Sequence, residues 1–457
     1  MRLTAGILIL LVATAAVAAP PQKLQVPVTY YKLPNGLKVV LSKDSSAPLV
    51  TVAVYYNIGF RIEPKNRTGF AHLFEHMMFQ GSGNLGKMEF IRLVEGNGGV
   101  LNGSTRFDFT NYFEVVPAHT LETMLWAEAD RMKGLDITVE NLKNQQGVVS
   151  NEVKVNVLDA PYGGFPWLDL PQRANKNWYN AHNFYGDLKD IEAATLDDVK
   201  SFFRTFYAPN NAVLAVVGDF DEAPVKGWIE KYFAGIPAST LPAKPDLTEP
   251  PQEKEIRFSR VDPKADRPAF AVGYHVPPRL TPEHAAMVLL DGILLQGQDS
   301  LLYNELVRKR GFAEDVTGGI NNPLGDAYNY SGPMLWSFDF IHDASNKPEV
   351  ILAAIDSVII GLQDKPLPQE ELDRALVKIR AQRYRAYGQY GGYGKADALA
   401  SFALFDDNPG LINRIEEDLS KVTPALLRKI AKDWLKPSNR TVIMLEAGAA
   451  TSAKGGE

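Results

Sequence analysis

Cysteine is absent from the 457 residues. That excludes disulfides, thiolate zinc sites, iron–sulfur clusters and a cysteine nucleophile. Any metal must be held by histidine and carboxylate. Histidine is itself scarce, at seven residues. No long basic run occurs, and the net charge is −6 from 54 acidic and 48 basic residues, so nucleic acid is not an expected partner. After the first twenty residues no apolar run is long enough to span a bilayer. What remains is the profile of a soluble globular protein: 45% hydrophobic and 22% charged residues in a length that predicts two or three domains.

The chain starts with Arg2, an apolar run from Leu3 to Val17, and a small-x-small site at Ala16-Val17-Ala18. This is the pattern of a secretory signal peptide over residues 1–18. The run is short for a membrane anchor, and lipoprotein anchoring needs a cysteine. The expectation is an exported protein, periplasmic or secreted, with no stable membrane anchor.

Apolar periodicity predicts a hairpin at Tyr31–Ser42 around Pro34-Asn35-Gly36, a strand at Val50–Asn57 and a helix at Gly69–Gln80. Further helices are expected at Met88–Glu95, Leu121–Met132, Val139–Val157 and Leu196–Phe206, with β segments at Val100–Val116 and Ala212–Val217. Prolines 237, 242, 245, 250 and 251 then break all regular structure. This gives a domain over 24–236, a linker over 237–252, a second domain over 253–447 and a flexible tail over 448–457.

The two domains read as copies. Thr195–Asn211 lies on Thr423–Asn439 without a gap: Phe202 meets Ile430, Phe206 meets Trp434, Pro209 meets Pro437 and Asn211 meets Asn439. At nearly the same offset Glu140 and Leu142 meet Glu370 and Leu372. Two matches flanking one proline-rich linker favour duplication, hence two α/β domains.

The chemistry is concentrated in His72-Leu73-Phe74-Glu75-His76. On a helix, positions i and i+4 share a face, so both imidazoles can reach one ion. Glu75 lies beside that face and can reach a water there without being a ligand. This is the H-x-x-E-H order. A catalytic zinc needs three protein ligands and one open position, so the third ligand is another His, Asp or Glu. Glu152 is one candidate, from a helical pattern of the same half. The remaining histidines (119, 182, 275, 284 and 342) are scattered, and each is expected to be solvated or capping.

The His72–His76 motif followed by Phe79-Gln80-Gly81-Ser82 resembles the pitrilysin and mitochondrial-processing-peptidase family of zinc metallopeptidases. The likeness covers nearly the whole mature chain. Gly98–Thr105 with Asp108, Thr110, Asn111 and Tyr112 follows in order, then Val148–Glu152, Pro161-Tyr162-Gly163, and Tyr207–Asn211 through Gly218-Asp219. The resemblance implies an α+β fold, processing-peptidase-like (the LuxS type of metalloenzyme). It has two tandem homologous domains, each a mostly antiparallel sheet packed with helices, enclosing a chamber between them. It implies one zinc ion per chain on His72, His76 and Glu152, with Glu75 as general base and a peptide as substrate. It places Asn102 in an edge strand to which a substrate peptide adds; an ordinary turn or strand-end role stays open beside that.

Two departures stand out. Gln145, two turns before Glu152, occupies a place where many members have an acid; there it supports the ligands without adding charge. An Arg/Tyr pair that many active members carry in the second half is replaced by Val307 and Glu314. In two-subunit members that pair comes from a partner chain. The expectation is therefore a zinc-bearing subunit of a homo- or heterodimer with a related chain that lacks the zinc motif. The rival expectation is a non-enzymatic peptide-binding or assembly subunit of the same fold. At a constant offset His72 and His76 fall near Leu302 and Leu306, so only the first half carries ligands.

Overall fold

The computed structural model describes residues 24–448. The expected signal peptide over 1–18, and the expected tail beyond Gly448, lie outside the described residues. No helix of the described residues is long and apolar enough to cross a membrane.

Two sheets form the frame. The first contains β1 (Thr29–Lys32), β2 (Lys38–Lys43), β3 (Leu49–Tyr56), β4 (Val100–Thr105), β5 (Thr110–Pro117) and β6 (Ala212–Gly218), in the spatial order β1-β2-β6-β3-β5-β4. The second contains β7 (Ile256–Asp262), β8 (Ala269–His275), β9 (Thr317–Ile320), β10 (Leu335–Ile341) and β11 (Arg440–Ala447), in the order β7-β11-β8-β10-β9. The second order repeats the first without its outermost strand. Each sheet has a single parallel pair, β2 with β6 and β7 with β11; all other pairs are antiparallel. No regular element occupies 237–255, where the five prolines fall.

The matched Pro-x-Asn segments behave identically. Each forms a single 3-10 turn before a strand. Asn211 Nδ2 donates to Phe206 O and Asn57 O; Asn439 Nδ2 donates to Trp434 O and His275 O. Each asparagine thus ties a helix end to the end of the strand beside it. One expectation is corrected. The element after β8 in the place of the helix after β3 is Pro282–Leu294, so Ser300–Leu306 lies one element further along. Connection lengths differ between the halves, and a constant offset does not survive them.

Alternation along the strands sends side chains to two faces. In the first sheet Val39, Leu41, Val52, Val54, Tyr56 and Val216 share a core with the helices of their own half. Val40, Ala53, Tyr55, Phe113, Val115 and Ala215 point the other way, into a core shared with the second half. There the Tyr393–Asp406 helix crosses β2, β3 and β6. The loan is returned: the Asp169–Ala174 helix of the first half lays Leu170 and Ala174 against Ala269, Ala271, Leu335, Ile443 and Leu445 of the second sheet. Where a chamber between the halves is expected, the two inner sheet faces are packed against these exchanged helices.

A polar lock sits on the seam. Buried Arg61 donates to Asn180 Oδ1 at 3.1 Å and to Pro333 O of the second half at 2.7 Å, and pairs with Asp108 at 3.1 Å. Asp108 in turn accepts from Ser331 N. A Cβ at Gly332 would stand 2.0 Å from Arg61 Nη1, so a larger residue there would displace the guanidinium from these partners.

Candidate metal centre

The helix α1 (Phe70–Met77) carries the His-x-x-Glu-His run. Its apolar side buries Phe70, Leu73, Phe74 and Met77. Phe74 stacks on Phe202 at 5.1 Å between ring centroids, which seats α1 on the Leu196–Phe206 helix. Helix starts leave backbone N–H groups unpaired. Gly69, at the cap position with φ 84°, offers no side chain to take them. A Cβ there would press on Ile191 Cδ1 at 2.8 Å and Tyr185 O at 2.9 Å. Glu63 fills the gap: its two carboxylate oxygens accept from Gly69 N at 2.8 Å and Ala71 N at 2.6 Å. Burial pushes the Glu63 carboxyl up to about 8, against the pull of those two amides.

One turn apart on α1, His72 Nε2 and His76 Nε2 stand 3.4 Å from each other. Glu152 reaches them from the Val139–Val153 helix: Oε1 is 3.4 Å from His72 Nε2 and Oε2 is 3.2 Å from His76 Nε2. Hydrogen bonding from His72, then His76, holds the Glu152 carboxyl well below the usual carboxylate range. Zinc–nitrogen and zinc–oxygen bonds of about 2.0–2.1 Å imply tetrahedral ligand–ligand edges of about 3.3–3.4 Å. The two Nε2 atoms, and each of them with its own Glu152 oxygen, stand at spacings close to such an edge, and the donor set, two imidazoles and a carboxylate, suits zinc. These residues fit the ion. Among the described residues they are the one cluster of His, Asp and Glu that could hold a metal.

Glu75 stays outside the triangle. Its Oε2 accepts from Thr105 Oγ1 at 2.7 Å. Thr105 ends β4, the edge strand of the first sheet. A Cβ at Gly103 would lie 3.3 Å from Glu75 Cγ, so β4 runs directly past this carboxylate. Tyr185 is the other neighbour: its hydroxyl donates to Glu152 Oε1 at 3.3 Å and its ring stands edge-on to His72 at 5.1 Å. Burial first, then the Glu152 charge, pushes the Tyr185 phenol up to about 12, so it remains a donor.

Asn102 is on β4 but faces away from Gly103 and Thr105, by strand alternation. It is exposed, and its Oδ1 accepts from Gly103 N at 2.9 Å. Gln145 is buried on the Glu152 helix, and its amide donates to Asn144 Oδ1 at 2.8 Å. Near the place of the Arg/Tyr pair, Arg308 donates to Asn304 and Arg310 to Glu305, both within their own turn. Glu314 is exposed and pairs with Arg267. Of the remaining histidines, His119 is exposed and His275 half-buried, while His182, His284 and His342 depart from expectation and are buried.

Three residues escape the sequence reading: Glu63, Thr105 and Tyr185. The first leaves a trace. A helix entered through glycine, with no Ser, Thr, Asp or Asn at its cap, needs an acceptor from elsewhere. Thr105 closes the Asn102–Thr105 stretch already singled out. Tyr185 has no local signal.

Comparison with known proteins gives the family. Residues 38–160 match the family model described as Insulinase (Peptidase family M16), and residues 193–378 match that described as Peptidase M16 inactive domain. The zinc protease PqqE of Helicobacter pylori is 27% identical over 426 residues, spanning 91% of each chain. The crystal structure of a protease from Helicobacter pylori superposes with a TM-score of 0.84 at 25% identity, over 92% of this chain and all of that one. The periplasmic protease PqqL of Escherichia coli shares the fold at 18% identity and a TM-score of 0.71, over 93% of this chain and 48% of that one. The fold is that of pitrilysin-like peptidase chains. The protein belongs to peptidase family M16.

Proposed function

We propose that the chain is an exported zinc-dependent endopeptidase that hydrolyses peptides or unfolded protein segments, with residues 24–236 as the catalytic domain and 253–447 as its non-catalytic homologue. The observation that carries this reading is the triangle of His72, His76 and Glu152 beside a separate carboxylate, Glu75, under an edge strand. When bound, zinc lowers the pKa of a water toward neutrality and polarises the scissile carbonyl. His72, His76 and Glu152 would hold the ion. Glu75 takes the proton of the attacking water and later gives it to the leaving amine. Thr105 keeps the Glu75 carboxylate aimed. The unpaired backbone edge of β4 adds the substrate as a further strand, and Asn102 stands at that edge.

The chain acts as the zinc-bearing subunit of a dimer whose partner supplies an arginine and a tyrosine. Val307 and Glu314, in the places of that pair, support this. Gln145 leaves the site without a further acid and so with less pull on the ion. The N-terminal pattern over residues 1–18 supports export to the periplasm or medium. A second reading, a peptide-binding or assembly subunit without activity, is favoured by the same Val307 and Glu314.

The test is cleavage of a quenched, unstructured peptide library by the mature chain and by Glu75→Gln, with zinc measured on both. One zinc per chain with Glu75-dependent cleavage establishes a peptidase and removes the need for a partner. Zinc without cleavage, restored by a co-purifying chain, establishes the dimer. A chain that takes up no zinc overturns the site.

A further inference from the structure

We propose that Tyr393, from the second half, is a positioning residue for β4, holding the substrate strand from the face opposite the metal centre. The proposal rests on reading β4 as the peptide-binding edge. On one face of β4, Gly103 and Thr105 meet Glu75. On the other face the strand is nearly bare: Val100 is 56% exposed and Asn102 is exposed. Ser104 is the exception. It stands directly across from Asn111 of β5 in the antiparallel register, and Ser104 Oγ donates to Asn111 Oδ1 at 2.5 Å.

Asn111 is fully buried, and its other function goes to the second half. Nδ2 donates to the Tyr393 hydroxyl at 2.9 Å. The Tyr393 ring stacks on Phe113, two residues along β5, with centroids 3.6 Å apart. Its hydroxyl lies 3.4 Å from that of Tyr55 on β3, which donates to Asp397 on the same helix as Tyr393 at 2.7 Å. Asn329 Nδ2 steadies Asp397 from the far side at 3.2 Å. The hydrogen bonds therefore run from the edge strand through the sheet into the second half.

Tyr393 is placed for this by an unusual entry to its helix. Tyr390, Gly391 and Gly392 all have positive φ (46°, 64° and 104°), which brings the chain down onto β3 and β5. A Cβ on Gly391 would stand 2.8 Å from Val115 Cγ1. The second half thus covers β3 and β5, and Asn111 links it to Ser104 of β4. Buried amides without partners are costly, so losing the Tyr393 hydroxyl frees Asn111 to turn and release Ser104. On that face Ser104 then keeps its bond from Arg106 Nε at 3.1 Å but loses the one to Asn111.

The experiment compares zinc-loaded Glu75→Gln protein with the same protein carrying Tyr393→Phe, which keeps the stacked ring. Three quantities are measured: hydrogen exchange over 100–105, zinc affinity by chelator competition, and anisotropy of a labelled unstructured peptide. The expected result is exchange over 100–105 faster by about tenfold and peptide binding weaker by about tenfold, with zinc affinity and α1 exchange within twofold. Ser104→Ala, cutting the same path at its other end, is expected to loosen 100–105 equally, and it serves if Tyr393→Phe folds poorly. Unchanged exchange over 100–105 in both variants overturns the proposal, whatever peptide binding does. If the Glu75→Gln parent binds no peptide while Tyr393→Phe still loosens β4, the peptide-edge reading falls and the hold of Tyr393 on the strand stands.

Discussion

Replacing Thr105 with valine tests whether the strand aims the base. Valine has nearly the shape of threonine and suits a strand, so the fold should tolerate it. What is lost is the 2.7 Å hydrogen bond to Glu75 Oε2. A hydrogen bond to a charged group contributes about 1.5–3 kcal/mol. Glu75 is half-buried, and water can take the vacant place in part, so the lower end of that range applies. At about 1.4 kcal/mol per factor of ten, the expectation is roughly a tenfold loss of kcat/KM, carried by kcat. The assay is steady-state cleavage of a quenched peptide, with zinc content and Tm measured on the same preparations. Thr105→Ser retains the hydroxyl and should stay within about threefold of the parent. If Thr105→Val, fully zinc-loaded and equally stable, cleaves within twofold of the parent, the hydrogen bond does not aim Glu75.

Other expectations follow from particular residues. His284 is 1% exposed, and burial first, then the Arg279 charge, pushes its pKa down to about 4 from 6.5. Between those values the unfolded chain binds more protons, so stability is full above about pH 6.5 and falls by about 1.4 kcal/mol per unit as pH drops toward 4. Urea unfolding at pH 7.5 and 4.5 should show His284→Gln losing less than the parent, by on the order of 3 kcal/mol; equal losses refute it. Gly332→Ala drives a methyl onto Arg61 Nη1, 2.0 Å away, and should lower stability by about 1–3 kcal/mol in the same assay. Stripping zinc should lower Tm, and zinc at about 100 times Kd should restore about 2.7 kcal/mol. His72→Ala should abolish that response, and a zinc-induced shift that survives the substitution places the ion elsewhere.

The His-x-x-Glu-His helix was legible because its signal is local. The spacing of His72 and His76 is a property of one helix turn, and Glu75 follows from the same turn. Glu152 is on another helix, and only a family likeness could single it out among many acids. Glu63 and Tyr185 reach the site from segments that periodicity cannot connect to it. The duplication was readable at Asn211 and Asn439, whose side chains make the same bonds in both halves. The failure at Leu302 and Leu306 has a plain cause: loops drift in length, while strand order does not. The strands were legible as strands, but their pattern does not say whose helix covers each inner face.

That exchange of helices governs how the chain can move. A two-lobed enzyme often opens by swinging its lobes about the connecting peptide. Here each lobe has lent the other a wall, so a swing would strip Leu170 and Ala174 from one sheet and the Tyr393 helix from the other. The prolines of 237–251 are a tether around a closed joint, not a pivot. Under the proposed function, substrate then enters at the outer side of the first half, along the free margin of β4.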